Sequence, residues 1–352
     1  MVTSHQQPHG RKDFLLRRSA VFPIPPAGFD PEKATEPELE KFGIIPRPDQ
    51  GSDLFDNWRR LFKAPVTFVN PARIEVKALF QLNPAPVISP IPVTGAGSRL
   101  SHSGNWSGGY IVPVHDTMVV QVAAEWTLHT LSLPPPVFIE PNATDYVCST
   151  WVGLDGQGRY LNASLPQIGV MQTLPAPPST LAPSATAFCQ WWDREGGGTF
   201  LSLTGLPVAA GDTVIGSVWA DTATTVICYL RNVSTSTLAV VGMTAPSVTP
   251  HGGAPLQLTI SGATAEWILE RPTIFGSTRL YPFPKYQTTE FDAWAAVARD
   301  AGPPQAPHDL RTARHIAMFD TLDAPARTAF ISMPHQKGNS AIAVEYGGFE
   351  PK

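Results

Sequence analysis

Short apolar runs dominate the chain from Asn105 onwards, and they constrain its fold more than any other feature. The runs are rich in Val, Thr, Trp and Tyr, and clusters of Pro, Gly, Asp and Asn separate them. They lie at 110–113, 118–128, 146–154, 187–192, 213–221, 225–232 and 265–270. Such spacing with turn signals predicts an all-β sandwich or jelly roll. The absence of strand–helix alternation argues against a Rossmann fold or an α/β barrel.

The first hundred residues have a different pattern, with many prolines and two short helical segments. Thr35 is placed to cap the first helix, which Gly43 would end, and Asp53 is placed to cap the second. The second carries apolar residues at helical spacing, namely Leu54, Phe55, Trp58, Leu61 and Phe62. The small, polar run 95–103 is typical of a linker. We therefore expect residues 1–100 to form an N-terminal extension and residues 101–352 to form the β-sandwich domain.

The C-terminal part of that domain shows a mixed pattern. Thr289 could cap a helix that buries Phe291, Trp294 and Val297 and ends near Gly302, so a helical insertion is expected at about 288–302. Two later apolar alternations, at 329–333 and 341–346, predict strands that add to the sheet.

Charge is distributed unevenly along the chain and excludes one class of partner. Residues 101–270 hold three basic side chains, Arg159, Arg194 and Arg231, against 11 acidic ones. Such a region cannot present a phosphate-binding stripe, so we expect no nucleic-acid partner. The extension holds 13 basic and 10 acidic residues. The extension thus has a net positive charge and residues 101–270 a net negative charge, which suggests that the extension docks electrostatically on the sandwich domain.

Membrane, metal and disulfide signals are weak. No run of 18 apolar residues occurs, so no membrane span is expected. Prolines interrupt the short apolar run that follows the basic residues Arg17 and Arg18, which makes it a poor signal peptide. The three cysteines, Cys148, Cys189 and Cys228, are too far apart to form a C-x-x-C motif, and they allow at most one disulfide. We expect no metal and no cofactor.

Two polar features within the predicted strands could carry chemistry. Glu266 and Glu270 are four residues apart, so in a strand they share one face with Ile268 between them. Burial on that face would raise a carboxyl pKa and suit acid–base catalysis, whereas a solvated outer face is the alternative. Gln167 lies in an apolar strand, where its amide could donate to an oxyanion or serve as an ordinary sheet-face group.

Six fragments together resemble the glutamic peptidase (eqolisin) family and occur in that family's order. They are Asn105-Trp106-Ser107-Gly108-Gly109, Thr150-Trp151-Val152-Gly153-Leu154-Asp155-Gly156, Pro166-Gln167-Ile168-Gly169-Val170, Ala187-Phe188-Cys189-Gln190-Trp191-Trp192, Ala210-Gly211-Asp212 and Ala265-Glu266-Trp267-Ile268-Leu269-Glu270. The resemblance covers roughly residues 103–275. It implies a concanavalin-A-like jelly-roll β-sandwich and an acid endopeptidase that acts on polypeptides without metal or cofactor.

The resemblance also implies roles for particular residues. Glu270 would activate water as general base and then protonate the leaving amine, and Gln167 would stabilise the tetrahedral oxyanion. Gln172 is the alternative to Gln167 if the strand register differs. The substrate cleft would be lined by Trp106, Trp151, Asp155, Gln190 and Trp192. Gln190 is a departure, because the family often has glutamate there. Family members are typically secreted, which the weak signal peptide does not support, and the extension resembles a proline-containing propeptide.

Two other functions stay open at this point. A glycoside hydrolase on a jelly roll would use Glu266 and Glu270 as its carboxyl pair. A non-catalytic sandwich would bind peptides or glycans on a tryptophan platform, formed by Trp106, Trp151, Trp191 and Trp192. We expect the protein to be a monomer. The extension could cover the cleft near neutral pH, or its residues Trp58, Leu61 and Phe62 could simply enlarge the core.

Overall fold

A computed structural model describes residues 19–75, 80–81, 100–114, 116–157, 164–193, 198, 200–249, 253–274, 277, 279–321 and 328–349. The basic N-terminus and residues 95–99 of the predicted linker lie outside this described part. Within it, the protein is mostly β, which confirms the predicted fold class. No helix in these ranges is long and apolar enough to cross a membrane.

The N-terminal extension and its junction with the sandwich domain contribute two helices and five short strands. These are β1 (Ser19–Val21), α1 (Glu36–Lys41), α2 (Asp53–Phe62), β2 (Thr67–Val69), β3 (Arg73–Glu75), β4 (Phe80–Gln81) and β5 (Leu100–Ser103). Leu100–Ser103 was expected to be linker, and it is a strand because it pairs in parallel with residues 315–318.

The sandwich domain contains the remaining strands. The first half comprises β6 (Trp106–Ile111), β7 (Met118–Thr127), β8 (Asp145–Leu154), β9 (Ser164–Pro175), β10 (Ser184–Asp193), β11 (Phe200–Leu203), β12 (Thr213–Thr222), β13 (Thr225–Asn232) and β14 (Thr237–Thr244). The second half comprises β15 (Ser247–Val248), β16 (Leu256–Gln257), β17 (Ala265–Glu270), β18 (Thr273–Ile274), β19 (Thr289–Ala298), β20 (Ala306–Pro307), β21 (Arg314–Thr321), β22 (Thr328–Lys337) and β23 (Ala341–Phe349). Single 3₁₀ turns lie at Pro136–Phe138 and Leu310–Thr312.

Hydrogen bonding arranges these strands in two layers. The front layer follows the order β11–β10–β9–β8–β17–β6–β21, and the back layer follows β19–β7–β12–β13–β14. The strands β22 and β23 connect β21 of the front layer to β19 of the back layer. The main core lies between the layers, where alternate residues such as Ile168, Trp267 and Val218 are buried together.

The predicted helix at about 288–302 is wrong, since Thr289–Ala298 forms β19. Its residues Phe291, Ala293, Ala295 and Val297 alternate into the core, and the strand pairs with β7 and β23. Phe291, Trp294 and Val297 are three residues apart, a spacing typical of a helix. In the strand, Trp294 lies on the opposite face from the other two, where it packs with the helices of the extension. Both later alternations form the expected strands, β22 and β23.

The two helices of the extension pack on the outer side of the back layer. Thr35 caps α1 with Glu38 as predicted, whereas the cap of α2 is Ser52, one residue before the predicted Asp53. The Ser52 hydroxyl accepts from the Phe55 N–H at 3.2 Å. A second apolar cluster joins α2 to the back layer through Trp58, Leu61 and Phe62. These three side chains therefore enlarge the core.

Polar contacts reinforce this attachment. The Tyr229 hydroxyl donates to the Gly43 carbonyl at 2.7 Å, where Gly43 ends the first helical segment with φ of 69°. The buried Arg231 guanidinium donates to the carbonyls of Arg60, Leu61 and Pro65. Because these acceptors are backbone atoms, the contact fixes the path of the chain as α2 ends.

Strands of the extension also cover the edges of both layers. β1 and β2 both pair with β14, at the edge of the back layer. β3 pairs with β11, at the edge of the front layer. Unpaired sheet edges are prone to association with other chains, so the extension protects this side of the sandwich.

Candidate active site

The outward-facing side of the front layer, which we call the front face, carries most of the predicted site residues. Alternation along the strands places there Trp106 of β6, Ser149, Trp151 and Gly153 of β8, Gln167 of β9, Gln190 and Trp192 of β10, and Glu266, Ile268 and Glu270 of β17. The opposite side of the same strands faces the main core. Glu266 and Glu270 therefore lie on one face of β17, as their spacing in the sequence predicts.

The front face is buried rather than solvated. Glu266 is 0% exposed and Glu270 is 1% exposed. Gln167, Trp151 and Trp106 are also buried. Burial of carboxyl groups is costly unless they are protonated or receive hydrogen bonds. The solvated alternative for the two glutamates is therefore excluded in this structure.

Glu270 receives a hydrogen bond on each carboxyl oxygen. The Trp151 indole Nε1 donates to Oε2 at 2.7 Å, and the Asn105 amide Nδ2 donates to Oε1 at 3.4 Å. Burial raises the pKa of Glu270 to about 8, and the Trp151 N–H opposes that rise by favouring the charged form. Two donors thus hold a carboxyl whose proton affinity is unusually high.

Gln167 lies directly opposite Gln190 in the β9–β10 pair. Its Nε2 donates to the Gln190 Oε1 at 3.2 Å, and its own Oε1 finds no partner in the described part of the chain. Gln190, which stands where the resembled motif often has glutamate, therefore orients the amide of Gln167. The register alternative, Gln172, donates to the backbone carbonyl of His129 from the other face of β9 and does not share the front face.

Gln167 and Glu270 are not side by side. Gln167 pairs across from Gly153 of β8, whereas Glu270 pairs across from Ser149 on the other side of β8. The two residues are therefore offset by four residues along the strands, which is about 13 Å, and by two strand spacings across the sheet, which is about 10 Å. Trp151 lies midway along this diagonal, so the two groups flank its indole ring.

Glu266 lies farther along β17, where it is enclosed by other groups. Its Oε1 accepts from the Gln157 N–H at 3.2 Å, and its Oε2 has no partner among the residues described. Burial raises its pKa to about 8. Its backbone is about 13 Å from that of Glu270. Glycosidase carboxyl pairs are separated by about 5–9.5 Å, so the geometry does not favour that alternative.

The remaining predicted cleft residues differ in their surroundings. Trp106 contacts Trp151 edge to face, with ring centroids 5.0 Å apart, and Trp192 is buried on the front face. The Asp155 carboxylate accepts from the Ser261 N–H, the Ser261 hydroxyl and the Ala263 N–H at 2.6–2.9 Å. Asp155 thus anchors the loop before β17, and its cleft role stays a prediction.

Sequence reasoning missed two residues near Glu270. Asn105 was noted as part of a motif without a role, and Ser103 was assigned to a linker. Ser103 Oγ accepts from the N–H groups of Asn105 and Trp106 and donates to Asn105 Oδ1 at 3.0 Å. Their link to Glu270 depends on the packing of β5 beside β21, for which the sequence holds no local signal. Within the described ranges, no cluster of three or more His, Cys, Asp or Glu could hold a metal ion.

Known proteins share this architecture. The model of the Peptidase A4 family matches residues 104–324. No curated protein matches the chain. Scytalido-glutamic peptidase, solved with a peptide-based transition state analog, is 15% identical with a TM-score of 0.50, covering 69% of this chain and 98% of that chain. The aspergilloglutamic peptidase from Aspergillus niger is 19% identical with a TM-score of 0.41, covering 57% and 99%.

The first of these likenesses supports the fold, and the family match supports the activity class. The match spans more than half of the chain and contains all six sequence fragments that resemble glutamic peptidases. The resemblance read from the sequence is confirmed. This chain therefore belongs to the Peptidase A4 family of glutamic peptidases, and it is a peptide hydrolase.

Proposed function

We propose that this protein is an acid endopeptidase in which Glu270 and Gln167 carry the reaction. The observation that supports it most directly is the buried Glu270 carboxyl, held by Trp151 and Asn105 on the face that also carries Gln167. A buried carboxyl with two neutral donors can exchange a proton with a reacting water without a metal ion. The polypeptide substrate would lie across Trp151, between the two groups.

In the proposed reaction, the Glu270 carboxylate takes a proton from water as the water oxygen bonds to the scissile carbonyl carbon. The electron pair of the carbonyl moves to its oxygen, and the Gln167 Nε2–H donates to that oxyanion. Glu270 then gives its proton to the amide nitrogen as the C–N bond breaks. The products are a free carboxyl and a free amine, and Glu270 is again a carboxylate.

The raised pKa of Glu270 places a condition on this reaction. With a pKa of about 8, the buried carboxyl is protonated at acid pH and cannot act as a base. Since burial is the cause, exposure of the front face to water lowers the pKa and frees the carboxylate. In this proposal, the buried front face must open to water before Glu270 can act as a base at acid pH.

We infer that the N-terminal extension supplies this cover. It is attached near the front face at two places, since β3 pairs with β11 at one edge of the layer and β4 pairs with β18, which follows Glu270 in the chain. The residues of the face between these attachments are buried. Among the described residues, Arg60 binds Glu125 and Asp292 at 3.2 and 2.8 Å, and the helices attach through apolar contacts.

The activity is tested by incubating a denatured protein with this enzyme at pH 3–7 and identifying the fragments by mass spectrometry. Glu270→Gln and Gln167→Ala should each abolish cleavage while the circular dichroism spectrum stays unchanged. Full activity in either variant would overturn the assigned roles. Release of sugars without peptide cleavage would favour a glycoside hydrolase, and binding of peptides without cleavage would favour a non-catalytic sandwich.

A further inference from the structure

The Glu270 carboxyl is connected to the end of β5 by a chain of hydrogen bonds. The chain runs from Ser103 Oγ to Asn105 Oδ1 at 3.0 Å, and from Asn105 Nδ2 to Glu270 Oε1 at 3.4 Å. Ser103 is 2% exposed and Asn105 is 1% exposed, so water does not compete at either residue. Both lie outside the pair of residues that the proposed reaction uses.

The direction of each hydrogen bond follows from the number of hydrogens available. Ser103 Oγ accepts from the backbone N–H of Asn105 at 3.3 Å and from that of Trp106 at 3.1 Å. A serine hydroxyl has a single hydrogen and two lone pairs. With both lone pairs taken by N–H groups, that hydrogen points to the Asn105 oxygen. The amide is thereby oriented with its oxygen toward Ser103 and its nitrogen toward Glu270.

This orientation matters because an amide has an acceptor end and a donor end. If the Asn105 side chain turned over, its oxygen would face the Glu270 carboxyl and repel a negative charge there. The backbone of Asn105 is fixed as well, since its carbonyl accepts from the Arg271 N–H at 2.7 Å. The Ser103 hydroxyl thus holds the oxygen end of this side chain.

We propose that Ser103, acting through Asn105, is a positioning residue for the Glu270 carboxyl. Ser103 precedes the region that matches the family model, which begins at residue 104. It is held by the parallel pairing of β5 with β21, in which Ser103 lies opposite Met318. Ser103, the last residue of β5, thus contributes to the site, and it does so only while β5 stays paired with β21.

The other groups that face Glu270 are neutral, and the indoles of Trp151 and Trp106 also favour its charged form. Trp106 of β6 and Ser149 and Trp151 of β8 face it and carry no charge. The neighbouring Arg271 points to the carboxylates of Asp320 and Glu140 instead. The ionisation of Glu270 is therefore set by burial and by neutral donors, and the removal of one donor should be measurable.

The proposal rests on the proposed role of Glu270, and its test uses titration so that it does not depend on activity. Glutamate labelled with ¹³C at the carboxyl is incorporated, and the Glu270 signal is assigned by its loss in Glu270→Gln. Loss of a hydrogen bond to a charged group corresponds to about one pKa unit. We expect Ser103→Ala and Asn105→Ala each to raise the pKa of Glu270 by about that amount.

The double variant and a matched control separate positioning from a general structural effect. Because Ser103 acts through Asn105, the double variant should shift the pKa no more than Asn105→Ala alone. Ser101→Ala removes a hydroxyl from the same strand, one that donates to the His315 carbonyl, and should leave Glu270 unchanged. If Ser103→Ala does not fold, Ser103→Cys retains a weaker donor and should give a smaller rise.

Several results would overturn the proposal. An unchanged pKa in Ser103→Ala, a shift equal to that of Ser101→Ala, or additive shifts in the double variant would each show that Ser103 does not act through Asn105. Failure of the proposed function gives a different result, in which Glu270→Gln cleaves peptides as the parent protein does. The pH dependence of kcat/KM should follow the titrations, with the acid limb at higher pH in Ser103→Ala.

Discussion

Gln167 and Glu270 lie on the two strands that flank β8, and the indole of Trp151 separates them. Trp151 also donates its Nε1–H to Glu270. A substrate carbonyl that reaches both groups must therefore lie over this ring. The relationship explains why a tryptophan occupies the central position of the front face, because its ring offers an apolar surface and its edge a hydrogen bond.

The donor of Trp151 should contribute to catalysis apart from its ring. Trp151→Phe keeps an aromatic ring and removes the hydrogen bond to Glu270. A hydrogen bond to a charged group contributes about 1.5–3 kcal/mol, so kcat/KM should fall by about 10- to 100-fold. Trp191→Phe is the control, because that indole faces the core and its Nε1 has no partner in the described residues. Equal activities in the two variants would contradict this role.

The proposed cover by the N-terminal extension can be tested without removing the extension. We expect that insertion of a site for a specific protease between residues 84 and 95, followed by cleavage, raises peptidase activity at acid pH. The cut extension should stay bound on gel filtration, because its helices attach through apolar side chains. An uncut protein as active as the cut one would show that the extension does not cover the site. The parent protein, treated with the same protease, serves as control.

The attachment of the extension should also appear in the stability of the fold. Phe62 is fully buried and contacts Tyr229 of β13 edge to face, at 5.2 Å between centroids. Phe62→Ala should lower the free energy of unfolding by about 3–5 kcal/mol, measured in urea. Asp56→Ala, on the exposed side of the same helix, should change it by less than about 0.5 kcal/mol. A separate early transition for the helices, with the sandwich unaffected, would contradict a shared core.

The pH dependence of stability should reveal the second buried carboxyl, Glu266. Its folded pKa of about 8 lies above the usual value of 4.5 for glutamate, so the folded state retains a proton that the unfolded state releases. This group therefore costs no stability below about pH 4.5, and it lowers stability as the pH rises from 4.5 to 8. Glu266→Gln should be more stable than the parent by several kcal/mol at pH 8 and similar at pH 4, in urea titrations.

The exposed Glu290, which forms an ion pair with Lys337, provides the control for that titration. Glu290→Gln should have the pH profile of the parent protein within about 1 kcal/mol. If the Glu266→Gln profile has the same slope as that of the parent between pH 4.5 and 8, the carboxyl of Glu266 is ionised in the folded state.

His129 is expected to act in the opposite direction. It is buried, its Nε2 lies 2.7 Å from the Thr289 hydroxyl, and burial lowers its pKa to about 4. An unfolded histidine binds a proton near pH 6.5, so stability should fall as the pH drops from 6.5 to 4 and then level off. His129→Gln should flatten this decline. A decline of the same size in both proteins would exclude His129 as its source.

Much of the front face could be predicted from the sequence because it depends on local alternation. Glu266, Ile268 and Glu270 share a side of β17 for the simple reason that a strand has a period of two. The prediction of a helix at 288–302 failed because both faces of β19 are buried, so that apolar residues also occur at a spacing of three, and pairing with β7 makes the segment a strand. Ser103 could not be predicted, since its position depends on β21, more than 200 residues later.

The pairing of β1 with β14 has a consequence for the order of events during synthesis. Ser19–Val21 leave the ribosome early, yet their partners are residues 241–243, about two-thirds of the way along the chain. Contacts so distant in sequence form slowly, because a long loop must close before they yield any stability. The first part of the chain to be made must therefore wait unpaired until most of the sandwich exists, and slower translation beyond residue 243 would not hasten its docking.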